Sequence, residues 1–146
     1  MATMGPGDGE NHWHFRFGPG GVRSVGPGLG CVRDVLAALP GAGGGDGGDG
    51  GDGASRRRDD VLLVACELLA NACDHAPGVT CLDVDLADGH LTVAVTDGAL
   101  TRPVPAPWRP GQPHGHGLHV VERISTRWGV SPFPGGKTVW AALPAP

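Results

Sequence analysis

The sequence predicts an α+β fold in which an antiparallel or mixed sheet carries helices on one face. Three observations lead there. Trp13–Phe17, Cys81–Leu86 and Leu91–Thr96 alternate apolar and polar side chains with the period of half-buried strands. Other stretches space their apolar residues three and four apart, the period of a helix with one buried face. Asp88-Gly89 stands between two of the alternating runs, a strong hairpin signal. At 146 residues, with 40% hydrophobic and 18% charged side chains, the chain is sized for one domain with a real core.

Taken in order, residues 1–11 are Gly-rich and expected to be disordered, and residues 12–146 form the domain. Trp13, Phe15 and Phe17 point one way along the first strand and His14 and Arg16 the other. From about Gly30 to Leu39, Val32, Val35, Leu36 and Leu39 share a helical face, and Pro40-Gly41 ends it. Residues 41–53 are a Gly/Asp low-complexity segment. A calcium-binding β-roll would need a periodic apolar residue, which is missing here, so the segment reads as a flexible linker. Asp59 or Asp60 can cap the next helix, which runs to about His75 before Pro77-Gly78. Its first half, Val61 to Cys66, is apolar nearly all round and is expected to be buried on several sides. The Leu82–Leu86 and Leu91–Val95 strands follow. Residues 99–114 are Pro-rich and aperiodic, a long surface loop placed to act as a lid. Leu118, Val121, Ile124 and Trp128 mark a helix that Gly129 ends, and Val130–Phe133 and Thr138–Leu143 close the fold as a hairpin across Pro134-Gly135-Gly136.

The net charge of −4 gives no electrostatic footprint for nucleic acid. Arg56-Arg57-Arg58 runs straight into Asp59-Asp60 and reads as a solvated approach to a helix. Lys137 is the only lysine, a bias consistent with GC-rich coding. Cys31, Cys66, Cys73 and Cys81 lack a C-x-x-C spacing, and Cys66 and Cys73 lie two turns apart on one helix, too far to bond. Four buried free thiols in a reducing cytosol are expected. There is no signal-peptide pattern at the N-terminus and no apolar run of membrane-spanning length, so a cytoplasmic location is expected.

Three short stretches carry chemistry. Glu67 and Asn71 are four apart and project from one face of an otherwise apolar helix. A buried carboxylate needs a partner, and a divalent ion with a hydroxyl to deprotonate would supply one. The competing reading makes this face a solvent edge that Asp74 continues. Asp97 ends a strand before Gly98; its carboxylate can accept from an exocyclic amine such as adenine N6, although an ordinary Asp-Gly turn is commoner. Gly115-His116-Gly117-Leu118 opens a helix whose unpaired N–H groups face an anion, a weak signal alone. A rival uses the same segment: His114, His116 and His119, with His12 and His14 in reserve, as zinc ligands. Against it, no Asp or Cys sits at a conventional spacing.

In this order the motifs resemble those of the GHKL (Bergerat-fold) ATP-binding superfamily. Glu67-Leu68-Leu69-Ala70-Asn71-Ala72-Cys73-Asp74-His75-Ala76 looks like its N-box, Val95-Thr96-Asp97-Gly98 its first glycine box, and Gly115-His116-Gly117-Leu118-His119-Val120-Val121-Glu122 its second. Gly135-Gly136-Lys137-Thr138-Val139-Trp140-Ala141 is similar to the last strand of the branch of anti-sigma regulatory serine/threonine kinases. The resemblance implies a two-layer α/β sandwich binding Mg-ATP. Asn71 would ligate Mg²⁺, Glu67 would be general base toward an attacking serine, and Asp97 would accept from adenine N6. Gly115, Gly117 and Leu118 would hold phosphates, with Thr138 on the adenine side; His75, Gly98 and His116 belong to the same nucleotide-binding motifs. The partners implied are a sigma factor and a STAS-type anti-anti-sigma protein, with no nucleic acid or membrane contacted directly, and such regulators often dimerise.

Three positions depart from the family. Gly98 directly follows Asp97 and Ala99-Leu100 come next, where the family has D-x-G-x-G. Asp74 stands where relatives often carry a basic residue, and Ala70 where kinases of this branch often have Ser or Thr. Two functions are therefore expected in competition: a kinase, or a regulatory module that holds ATP or ADP without transferring phosphate.

Overall fold

The computed structural model describes residues 5–6, 11–18, 20–39, 51–74, 78–98 and 117–146. Its elements are β1 (Gly5–Pro6), β2 (His12–Arg16), α1 (Gly26–Ala38), α2 (Gly51–Cys73), β3 (Val79–Ala87), β4 (His90–Asp97), α3 (Gly117–Ile124), β5 (Arg127–Phe133) and β6 (Gly136–Pro144). All six strands join one sheet in the order β1-β2-β3-β4-β6-β5, and every pair is antiparallel. The expected α+β architecture is present, with an antiparallel rather than a mixed sheet. Within the first eleven residues, expected to be disordered, Gly5–Pro6 pair with Trp13 and His14.

Alternation decides which sheet face is covered. Along β4, Leu91, Val93, Val95 and Asp97 are buried and the residues between them half-buried. Their register partners Leu143, Ala141, Val139 and Lys137 on β6 are buried too. This face packs against the helices: α1 against β3, α2 against β4 and β6, and α3 against β5. Val32, Val35, Val64, Leu68, Leu82, Val93 and Val121 are all fully buried in the resulting core. The other face is open, so two layers account for the described residues.

The β3–β4 hairpin turns on Asp88 and Gly89, both at positive φ (53° and 74°), as a two-residue primed turn requires. Gly78 is also held at positive φ (93°), where a Cβ would strike the Val22 carbonyl, because Val22 bridges to Val79.

Three boundaries differ from expectation. α2 starts at Gly51, so Asp59 and Asp60 lie inside it and cap nothing; residues 51–53 of the expected linker form its first turn, with Asp52 favourably placed at the positive end of the helix dipole. The early helix is anchored tertiarily: Arg58 donates to the Leu36 carbonyl (3.0 Å) and Arg57 to that of Ala145 (3.1 Å). Leu63 is 42% exposed, so the first half of α2 is not buried all round. α3 stops at Ile124, and Trp128 and Gly129 belong to β5, where they pair with Ala141 and Trp140. The residues 41–50 and the expected lid over residues 99–114 lie outside the described residues.

Gly136 is the tightest backbone approach in the sheet. Its φ is 156°, and a Cβ there would collide with the Asp97 carbonyl and come within 2.9 Å of the Gly98 Cα. Neither obstacle is a flexible side-chain tip. Gly136→Ala is therefore expected to lose about 3 kcal/mol in urea unfolding, whereas Gly135→Ala, which meets only the Phe133 ring at 3.4 Å or more, should lose little.

Candidate functional site

Glu67, Asn71, Asp97, Gly98, Gly117, Leu118 and Thr138 fall within the described residues. His75, Gly115 and His116 lie outside them. The structure gathers the described set, with one exception, toward one end of the helix-covered side of the sheet.

Helical periodicity fixes where Glu67 and Asn71 point. Val61, Val64, Ala65, Leu68 and Ala72 press α2 onto the sheet. Leu69 lies on one flank, where its side chain fills the space above Gly28 of α1. Glu67 and Asn71 lie on the opposite flank, and both are half-buried. Because α1 packs over β3 and α3 over β5, that flank faces α3. On that flank Asn71 Nδ2 is buried, while Glu67 is half-buried. Asp74 is exposed one turn beyond them.

The sheet end follows from connectivity. α2 leads into β3, whose first residue, Val79, pairs with Asp97, so the Asn71 end of α2 lies at the Asp97 end of β4. α3 leads into β5 at Arg127, which pairs with Ala142 toward the other end, so Gly117 opens away from that end. Beside Asp97 the β3–β4 register slips between Val79 and Cys81, a bulge at Thr80, whose hydroxyl donates to the Thr96 carbonyl (3.2 Å).

Asp97 is buried, as is Lys137, which stands directly opposite on β6; the Lys137 Nζ donates to Asp97 Oδ1 at 3.2 Å. This pair was not anticipated. The cue was present, because Val139, Ala141 and Leu143 point inward and parity carries Lys137 inward with them. The ammonium keeps a compensating charge beside a carboxylate that burial would otherwise penalise. An adenine amine would thus meet a carboxylate already holding a lysine.

Thr138 is the exception. It pairs with Thr96, and the two hydroxyls share a hydrogen bond of 2.9 Å on the open face. The sheet separates it from Asp97 and Asn71, so the expected adenine-side role has no support from its placement. Leu118 is buried in the first turn of α3, which begins at Gly117 as expected.

One atom on the α2 flank stands out. Asn71 Nδ2 is buried without a hydrogen-bond partner, a condition that costs about 1–3 kcal/mol unless a partner arrives. An open groove of about 520 Å³, lined by Arg33, Leu36, Arg58, Asp59 and Leu62, lies between α1 and the first half of α2, away from this flank. The four cysteines are free, but half-buried rather than buried. Desolvation, with Asp34 adding to it, pushes the Cys31 thiol pKa up; desolvation and Asp74 do the same for Cys73 against an opposing pull from Arg23. Among the described residues no helix is long and apolar enough to cross a membrane.

No protein-family model matches the chain, and no characterised protein matches it in sequence.

Proposed function

We propose that this chain is a Mg-ATP-binding regulatory protein of Bergerat type, acting as a protein serine/threonine kinase on a STAS-type antagonist of a sigma factor. The observation that carries this reading is the Asn71 amide, buried and short of a partner on the flank of α2 that turns toward the glycine-opened helix. A phosphate oxygen accepts from Nδ2, and the Oδ1 of the same amide is a hard oxygen ligand of the kind Mg²⁺ prefers. Mg²⁺, when bound, neutralises triphosphate charge. The rest belongs to the protein: Asn71 orients the phosphates, Gly117 and Leu118 offer backbone N–H groups at a helix start, and Glu67 accepts the proton of an incoming hydroxyl. Asp97, whose carboxylate already holds Lys137, would accept from the adenine amine as a further donor.

Calorimetric titration with Mg-ATP tests the binding step. Wild type is expected to bind one nucleotide, and Asn71→Ala to bind at least tenfold more weakly with its fold intact by circular dichroism. Equal affinity of the two proteins, or no heat from wild type, sinks the reading.

A second reading rests on the Asp97–Lys137 pair. A carboxylate engaged by its own lysine reads the base less tightly, and with Ala70 and Asp74 this favours a module that holds ATP or ADP and sequesters a protein without transferring phosphate.

A further inference from the structure

On the open face, opposite the helices, two cross-strand pairs meet. His12 of β2 stands opposite Asp85 of β3, and His14 opposite Asp83. His14 Nδ1 lies 2.6 Å from Asp83 Oδ1, and His12 Nε2 lies 3.3 Å from the same oxygen. The other nitrogen of His12, Nδ1, contacts Asp85 Oδ1. The set is between a quarter and two-fifths exposed, open enough for an ion to reach.

The proton assignment makes this a site rather than a pair of contacts. A carboxylate only accepts, so the proton on His12 sits on Nδ1 and goes to Asp85. In neutral His12 the Nε2 lone pair then faces a carboxylate oxygen. Two acceptors face each other across 3.3 Å, an arrangement that is favourable only with a cation between them or a second proton on the ring. One ligand atom from each of His12, His14 and Asp83 falls within 4.8 Å of the others. The 3.3 Å between His12 Nε2 and Asp83 matches the edge of a tetrahedron whose metal–ligand bonds are about 2.0–2.1 Å, the Zn–N and Zn–O lengths. The 2.6 Å between His14 Nδ1 and Asp83 is a hydrogen bond, so metal binding releases the His14 Nδ1 proton to solvent and widens that contact.

We infer that His12 Nε2, His14 and Asp83 bind a divalent ion of the zinc class. Asp85 holds the His12 ring in the right tautomer, as outer carboxylates do for zinc-bound imidazoles. Two nitrogens and one oxygen suit Zn²⁺, Co²⁺ or Ni²⁺ better than Mg²⁺ or Ca²⁺. Three protein ligands leave a fourth position to water or to a partner's side chain. The bound ion clamps β2 to β3.

Untagged full-length protein titrated with Zn²⁺ alone, and with Co²⁺ read by its tetrahedral d–d absorption, tests this. One ion per chain is expected. His14→Gln and Asp83→Asn should weaken binding at least a hundredfold, and Asp85→Asn by about 10–100-fold. Independent of any variant, Zn²⁺ added to wild type should shift the imidazole NMR signals of two of the seven histidines, His12 and His14. No binding, a simple contact pair of protonated histidines that Zn²⁺ leaves unmoved, or binding lost on replacing His114, His116 and His119 but kept in His14→Gln would each overturn the inference.

Discussion

Lys137→Met is expected to lower stability to urea by about 3–5 kcal/mol, the largest single-substitution effect in the sheet. The loss comes less from the missing attraction than from what remains. Asp97 has a side chain with no exposed surface, and its 3.2 Å partner is the only lysine in the chain. Removing that ammonium takes this counter-charge away from a buried carboxylate. Replacing both groups removes the need for either. Asp97→Val with Lys137→Met is therefore expected to recover most of the loss, because a buried ion pair often contributes little beyond what apolar packing of similar volume does. The double-mutant cycle should then show a coupling of several kcal/mol between residues in direct register. Additive losses would mean that the two side chains do not depend on each other, and the pair would lose its standing as the organiser of this sheet end.

Much of the sheet was legible because its rules are local. The β3–β4 hairpin needs only period-two alternation and a dipeptide that accepts positive φ, and both are printed in the sequence. Failures occurred where a tertiary partner outvotes local preference. Ile124 and Trp128 are four apart and look like one helical face, yet Trp128 also points inward from a strand; pairing with Ala141 decides for the strand. Glycine-rich residues 51–53 are poor helix formers, but Arg57 and Arg58, little more than a turn further on, are tied to Ala145 and Leu36, which holds the early turns in place. At the candidate site, the common face of Glu67 and Asn71 followed from spacing alone. That this face turns toward α3 needed the strand order, and that Asp97 holds Lys137 needed the register. The His12–His14–Asp83 cluster is the extreme case. A search along the chain meets Asp8 and Glu10 just before these histidines, but not the acid they pair with, which arrives from a strand 69 residues away.

Glu67→Gln is expected to lower phosphate transfer to a STAS-type serine by about 10²–10⁴-fold, the usual contribution of a positioned general base, while Mg-ATP affinity stays within about threefold of wild type. One helical turn separates Glu67 from Asn71, about 6 Å along the α2 axis, and both project from the flank facing α3. That separation lets one side chain handle phosphate while the other meets the hydroxyl that attacks it. Glutamine keeps the volume and the packing on α2 and removes only the ability to take a proton, so a fall confined to kcat identifies proton acceptance as the missing step. A parallel collapse of affinity would make Glu67 a structural or phosphate-orienting residue instead. Transfer that continues undiminished in Glu67→Gln would exclude it as the base. Wild type that binds nucleotide but never labels a partner leaves the non-transferring module as the surviving reading, since Asn71 and the start of α3 can hold phosphates whether or not a hydroxyl ever reaches them.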